Sequence, residues 1–543
     1  MLRDLRRLSD TTFDLVVIGA GIYGTAAAWD ATQRGLSVAI IDKSDFGGGT
    51  SFNSAKTLHG GVRPLTSGNL AEHRLFVRER RALSRIVPHL VQPLPFVIPT
   101  YVGLSRNRWA MRAFFSMNDA LARDRNDFSD SAHHLPPSRL LSRDECLTLN
   151  TSLDPTGVSG GIEWHDCQMY NSDRVTLSFL LSTIQAGGEA ANYVKATSLL
   201  RSSDGVTGVS VHDRLDDVRV DIRARAVLNC TGPWAPKLLR TLAPELANGL
   251  PAALSVAMNL VTRRSLVTSH GVAGQAGDRM LFMLPWREFT IVGTSHDPFR
   301  GQPGERFVTP ELVEQFLEEV RQAFPGAKLG LSDLSMVHRG LLPAAGHGSH
   351  LALRKTSAVQ DHREDGLRGL VSVLGVRYTT ARDTAQAAVD TVFRLLDKTS
   401  PACRTAETPL VGGDIEDTDR FVDRAVETAG PGVTERTATR LAHSYGTTYP
   451  ALLQRLEARP SDAAELGTGC SVTAGEIRYA VREEMAVRLS DAVLRRTEAG
   501  SGGHPGDDAL LAAADVMAEE LGWSRERVHQ EIADVKQAFN LVS

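Results

Sequence analysis

Phe13 to Ile18 (FDLVVI) is a short apolar, β-branched run. It is followed by GAGIYG and an alanine-rich helical stretch through Gln33. Gly35 closes that helix, and Leu36 to Asp42 (LSVAIID) resumes the apolar run. Strands apolar at consecutive positions are those buried on both faces of a parallel sheet, so the pattern predicts a β-α-β unit. Ala226 to Cys230 (AVLNC) and Leu370 to Leu374 (LVSVL) repeat the signal, each before a glycine or threonine and a helix. The reading is α/β: one doubly wound, Rossmann-like domain assembled from 12–90, 155–240 and 345–398.

The segments between, 91–154 and 241–344, have a different texture. Phe289 to Gly293 (FTIVG) alternates as a half-buried antiparallel strand does, and Pro310 to Phe324 places Leu312, Phe316 and Val320 on one helical face. This predicts an antiparallel β substrate domain with covering helices. After the linker Ser400 to Pro409 the pattern becomes helical over 408–543. Helices are expected at Asp417–Thr428, Val433–Tyr445, Tyr449–Ala458, Ala474–Thr497 and Pro505–Gly522, the fourth with Ile477, Val481, Met485 and Leu489 on one apolar face.

Charge and composition narrow the functions. With 60 Lys and Arg against 64 Asp and Glu there is no broad basic field, which excludes nonspecific nucleic-acid binding. Any anion site is local. Five scattered cysteines without metal-ligand spacing fit structural thiols in a cytoplasmic protein, and no metal site is expected. The glycine-interrupted stretch Leu15 to Trp29 is neither a signal peptide nor a membrane span. The basic arm Met1 to Leu8 (MLRDLRRL) reads as a solvated helix start, with peripheral contact at the inner membrane face as the other reading.

Gly19, Gly21 and Gly24 form G-x-G-x-x-G between strand and helix, where absent side chains permit a tight turn and close approach to a pyrophosphate. Asp42 ends the next strand, where a carboxylate accepts hydrogen bonds from an adenosine ribose. Together they predict a dinucleotide site. The unit alone leaves FAD and NAD open. Thr50 to Pro64 (TSFNSAKTLHGGVRP) adds a polar loop in which Ser51, Ser54 and Lys56 can line a flavin's phosphates or ring.

That loop resembles the T-S-x-x-S-S-K-x-x-H-G-G-x-R-Y segment of FAD-dependent glycerol-3-phosphate dehydrogenases. The resemblance continues in order through DCQMYNSDRVTL (from Asp166), NCTGPWA (from Asn229), LPWREFTIVGT (from Leu284), GVRYTTAR (from Gly375) and TPLVGGDIE (from Thr408). It implies a D-amino-acid-oxidase-like fold with an FAD domain, an antiparallel substrate domain and a helical extension. It also implies hydride transfer from the secondary alcohol of glycerol 3-phosphate to flavin N5, yielding dihydroxyacetone phosphate, with quinone or oxygen as final acceptor. The cofactor set then comprises Gly19, Gly21, Gly24, Asp42, Thr50, Ser51, Ser54, Lys56, Leu58, His59, Lys195, Thr231, Gly232, Gly375, Thr379 and Thr380. Gly375 to Thr380 leads into a helix whose amino end faces the flavin pyrimidine, where a helix dipole stabilises negative charge.

For the substrate the resemblance implies His59 as base or flavin contact, and Arg63 and Arg377 as clamps on an anion. Two positions depart from the family pattern. Pro64 stands where a tyrosine usually follows the arginine, and Leu342, in VHRGLLP, stands where a substrate-binding arginine is expected. Arg339 is a candidate replacement. The departures leave two alternatives: the same chemistry on another hydroxy or amino substrate such as a phosphonate, or a flavin-binding protein without turnover. An NAD-dependent dehydrogenase is a third reading, disfavoured by the Thr50 to Pro64 loop.

Overall fold

The computed structural model describes residues 3–103, 106–246, 250, 253–304, 308–345, 352–430 and 432–540. Among them, eight strands form a sheet in the order Ala358–Asp361, Leu370–Leu374, Arg219–Asn229, Thr12–Ile18, Val38–Ile41, Glu189–Ala191. The hairpin Val194–Ser202 and Gly205–Asp213 is attached antiparallel to Arg219–Asn229. The five strands from Leu370–Leu374 to Glu189–Ala191 run parallel, and Val16, Val17, Ala39 and Ile40 are sealed from water on both faces. The register sets Ile18 opposite both Asn229 and Ile41, and Asn229 opposite Ser372. Gly19, Asp42, Cys230 and Gly375 therefore leave the sheet at one edge, beyond the carboxyl ends of its strands, where open α/β sheets bind ligands.

Ten strands form a second sheet, largely antiparallel and centred on Leu254–Thr262, Phe289–Phe299 and Arg279–Trp286. Three segments that the sequence assigned to the nucleotide domain belong to this sheet, the shortest being Ala352–Leu353, paired with Ala344 and Ala345. Val158–Met169 pairs with Val91–Tyr101 along almost its whole length, and Thr57–Leu58 pairs with Cys167 and Gln168. Local hydrophobicity does not reveal this, because a long strand serves either sheet equally well until its partner is known.

The carboxyl-terminal region contains Thr418–Glu427, Glu435–Tyr445, Tyr449–Ala458, Ala474–Glu484, Asp507–Leu521 and Arg525–Phe539. The single helix expected over Ala474–Thr497 stops at Glu484, where Met485 takes a left-handed conformation (φ 57°). The apolar spacing remained correct for burial, since Ile477, Met485 and Leu489 are all interior, but the backbone turns between them. The Glu484 carbonyl accepts from Arg496 Nε (2.9 Å), and its carboxylate holds Arg174. Arg525–Phe539 and the hairpin Glu465–Gly467/Cys470–Thr473 were not anticipated. Ile477, Leu489 and Leu510 share an apolar cluster with Phe52 and Trp286, so these helices close over the second sheet.

A buried charge network fastens them to the first sheet. Asp45, three residues after Asp42, accepts from Arg495 Nε (2.6 Å), both terminal nitrogens of Arg496 (2.8 and 2.7 Å) and Asn192. In the described part of the amino-terminal arm Leu8 is buried and Arg3 bonds the Asn192 carbonyl and pairs with Asp213, while Arg6 and Arg7 stay exposed. No helix among the described residues is long and apolar enough to cross a membrane.

Candidate active site

The nucleotide end of the site is built by the β-α-β unit. Gly19 has φ +99°, and a Cβ there would lie 2.8 Å from the Cys230 carbonyl. At Gly24 a side chain would overlap the Gly19 carbonyl. The Ile22 N–H at the head of helix Ile22–Gln33 donates to Ser51 Oγ (3.0 Å), which fixes the following loop. Asp42 accepts from the N–H groups of Ala20 (2.8 Å) and Ser44 (2.9 Å). Burial pushes Asp42 up to about 6, with those two hydrogen bonds and Lys43 opposing. Lys43 lies over the Trp234 ring at 4.6 Å, and Trp234 Nε1 is sealed without an acceptor. Thr231 Oγ1 donates to Asn229 Oδ1 (2.7 Å), and Gly232 opens the next turn. A carboxylate without a bonded cation, an orphaned indole N–H and glycines at a helix head form a cradle that fits the adenosine diphosphate of FAD.

At the opposite end, Gly375 to Thr380 leads into helix Ala381–Leu395, with Thr380 at its cap. The Tyr23 hydroxyl accepts from the N–H groups of Val376 (2.9 Å) and Arg377 (3.0 Å) and donates to the Arg377 carbonyl (2.7 Å). A Cβ at Gly375 would overlap the Tyr23 ring. Gly375→Ala should displace the tyrosine and open this loop, at the roughly 1–3 kcal/mol typical of overpacking. Flavin bound per purified chain, read from its visible absorbance, should fall about tenfold in affinity relative to wild type; full retention would show that the loop does not support the cofactor.

Thr379 Oγ1 accepts from the His59 N–H (3.2 Å), joining this loop to the H-G-G segment. The His59 side chain is solvent-accessible yet enclosed by protein, as expected of a group lining an internal cleft. Burial lowers its pKa from the usual 6.5; Asp166 opposes that shift, and Arg377, Arg63 and Arg80 add to it. Asp166 is held by Arg80 and accepts from the Gly60 N–H (2.8 Å), which anchors the turn carrying His59. Arg63 is exposed and meets no hydrogen-bond acceptor among the described residues. It lies within electrostatic reach of both His59 and His296. Burial, then Arg63 and Arg279, lower His296 to about 4, and its Nδ1 is sealed and unpartnered. Arg377, by contrast, is paired with Glu72 and lies over the Phe76 ring at 5.0 Å.

Several expected residues lie elsewhere. Lys56 is fully buried; its Nζ donates to the Phe52 carbonyl (2.7 Å) and Ser172 Oγ (2.9 Å) and sits over the Phe52 and Trp286 rings. Leu58 is likewise closed off. Neither reaches the cleft, because the chain reverses side at Lys56, whose φ is +61°. Ser54 caps the Lys56 N–H, and Thr50 Oγ1 ties the loop to the Leu341 carbonyl (3.0 Å). Lys195 is an exposed strand residue felt by Lys43. Arg339 is on the wrong face. Strand Leu334–Ala345 keeps an unbroken register from Met336 to Pro343, so Arg339 shares the side of Val337 and Leu341 while Leu342 shares that of Gly340, which abuts Thr50. Tyr23, Trp234 and His296 went unread in the sequence. Tyr23 had a signal in its bulk inside the glycine motif and Trp234 in its place within the NCTGPWA segment, whereas His296 had none.

A glycine-rich helix head at a parallel-sheet edge, opening to a cleft floored by an antiparallel sheet, defines a flavin-dependent oxidoreductase. Residues 14–382 match the model of the FAD dependent oxidoreductase family, and the chain belongs to that family. Residues 403–528 match the C-terminal domain of alpha-glycerophosphate oxidase. Glycerol-3-phosphate dehydrogenase of Synechocystis is 27% identical, with 98% of this chain and 97% of that protein covered. Glycerol-3-phosphate dehydrogenase of Mycobacterium leprae is 28% identical over 97% and 88%. The fold is shared with the FAD-complexed glycerol-3-phosphate dehydrogenase of Bacillus halodurans, at a TM-score of 0.74, 24% identity and coverage of 99% and 96%.

Proposed function

We propose that the protein oxidises sn-glycerol 3-phosphate to dihydroxyacetone phosphate. The observation that carries this reading is Arg63, an exposed guanidinium that meets no acceptor among the described residues and lies within electrostatic reach of His59 and His296. Bound FAD supplies the hydride acceptor. His59, neutral at pH 7 because burial and neighbouring cations depress its basicity, takes the hydroxyl proton on a ring nitrogen. Arg63 holds the phosphate; its planar fork suits two phosphate oxygens. Arg377, neutralised by Glu72, orients the loop more than it binds the anion. The full-length similarity to glycerol-3-phosphate dehydrogenases supports this substrate. The electrons then pass to quinone or oxygen, which are separated by assaying turnover with each under anaerobic and aerobic conditions.

Leu342 favours a second reading, in which the anion is of a different shape, because no guanidinium stands at that strand position and Arg339 faces away. Adding glycerol 3-phosphate to the purified holoenzyme without oxygen decides between them. Rapid loss of the flavin's visible band supports the first reading; a band that persists with glycerol 3-phosphate and bleaches with another hydroxy or amino acid anion supports the second.

Arg63→Ala should raise KM for glycerol 3-phosphate roughly ten- to hundred-fold, the loss of a charge-assisted contact of about 1.5–3 kcal/mol, with a smaller effect on kcat. Steady-state kinetics on the flavin-loaded variant check this. An unchanged KM would remove Arg63 from the anion site.

A further inference from the structure

Where the first sheet meets the last two helices there is a recess of about 400 Å³ lined by Arg214, Arg488 and Arg527 with Trp523 and Ser524, and by no carboxylate. It is remote in construction from the cleft: none of His59, Arg63, His296 or Arg377 lines it. Arg214 donates from Nη1 to the Lys43 carbonyl (2.9 Å). Arg488 lies over the Tyr193 ring at 5.1 Å, and among the described residues its guanidinium meets no acceptor. Arg527 pairs with Glu531 and lies 5.8 Å from the Trp523 ring centre. The Nε atoms of Arg488 and Arg527 are sealed from water and have no hydrogen-bond partner among the described residues.

The neighbouring acids are already engaged. Asp491 accepts from Tyr193 (2.6 Å), Arg495 (2.8 Å) and the N–H groups of Val487 and Arg488. Glu531 accepts from Arg527 and from the Leu489 N–H (2.9 Å). Three guanidinium groups thus share one recess that no carboxylate lines, and of the three only Arg527 forms an ion pair among the described residues, with Glu531. Helix Arg525–Phe539 begins at Ser524, so its positive end adds to the same field. Clustering like charges in a concave, partly desolvated site is unfavourable unless an anion compensates them, and planar guanidinium forks match phosphate oxygens.

We propose that this recess binds a phosphate-bearing anion, outside the substrate cleft, at the junction of the nucleotide-binding sheet and the carboxyl-terminal helices. Arg214 links it to Lys43, next to the carboxylate at the adenosine end, so occupancy would brace that loop. The phosphate belongs either to a free small molecule or to a lipid headgroup.

The test uses the flavin-loaded enzyme and the double variant Arg488→Gln/Arg527→Gln, with Arg488→Lys/Arg527→Lys as a charge-preserving control. Inorganic pyrophosphate is titrated calorimetrically, and flotation is measured with phosphatidylglycerol and with phosphatidylcholine vesicles. Saturable pyrophosphate binding that weakens at least tenfold in the Gln variant, less in the Lys variant, with flavin spectrum and turnover unchanged, supports a free phosphate ligand. Binding confined to phosphatidylglycerol vesicles, with the same dependence on the arginines, supports a headgroup. Binding of neither probe, or equal binding by wild type and the Gln variant, overturns the proposal.

Discussion

His59→Gln should reduce kcat by roughly 10²- to 10⁴-fold while leaving the flavin spectrum intact, the range expected when a positioned general base is removed. The side chain is an amide of similar size, so the turn fixed by the Gly60 N–H on Asp166 and by the His59 N–H on Thr379 is retained. The pH dependence follows from the sign of the shift. Burial, with Arg377, Arg63 and Arg80, lowers the imidazole below 6.5 against the pull of Asp166. The base form therefore persists into mildly acid solution, and the rate of the wild type falls only as pH drops through that lowered value. His59→Gln should abolish this acid limb. Arg63→Ala, by removing a nearby cation, should move the limb toward higher pH. A pH–rate profile settles both, and an acid limb unaltered in His59→Gln would assign the proton transfer to another group.

Asp45→Ala should destabilise the protein by about 3–5 kcal/mol, because it leaves Arg496 buried without its counter-charge and Arg495 with Asp491 alone. Burial alone would raise the Asp45 carboxyl, but Arg496 and then Arg495 hold it well below the usual carboxylate range. A carboxylate depressed in the folded state contributes stability that is fully present above its unfolded pKa, about 4, and is lost as pH falls through the folded value. The wild type should thus lose this contribution progressively as pH falls below about 4, and Asp45→Ala should lack it at every pH. Denaturant unfolding followed by flavin fluorescence and by circular dichroism measures the loss. Because Asp45 ties the helical region to the loop after Asp42, flavin release should precede loss of helix in the variant. Coincident transitions at the wild-type midpoint would show that the network contributes little.

What was legible in the sequence was the part written in short-range pattern. The doubly buried strands Thr12–Ile18 and Val38–Ile41, the glycines between the first strand and its helix, and the helices Thr418–Glu427, Glu435–Tyr445, Tyr449–Ala458 and Asp507–Leu521 depend on neighbours a few residues away, and they appear where the pattern put them. The FAD class followed from these together with the family resemblance carried by the loop at Thr50 to Pro64. Side-chain destinations were not legible. Lys56 lies in the same polar loop as Ser51, yet a single positive φ turns it inward onto Ser172, 116 residues away. Arg339 and Leu342 are three residues apart, and only the pairing of their strand with Leu254–Thr262 reveals that they occupy opposite faces. His296 carries no local signal at all; it becomes a candidate because the second sheet brings it within the field of Arg63. Hydrogen-bond ladders and helix periods are short-range, so the sequence determined the elements and the cofactor class. Which charges share a low-dielectric cleft depends on strand partners far along the chain, and only the tertiary structure decided it.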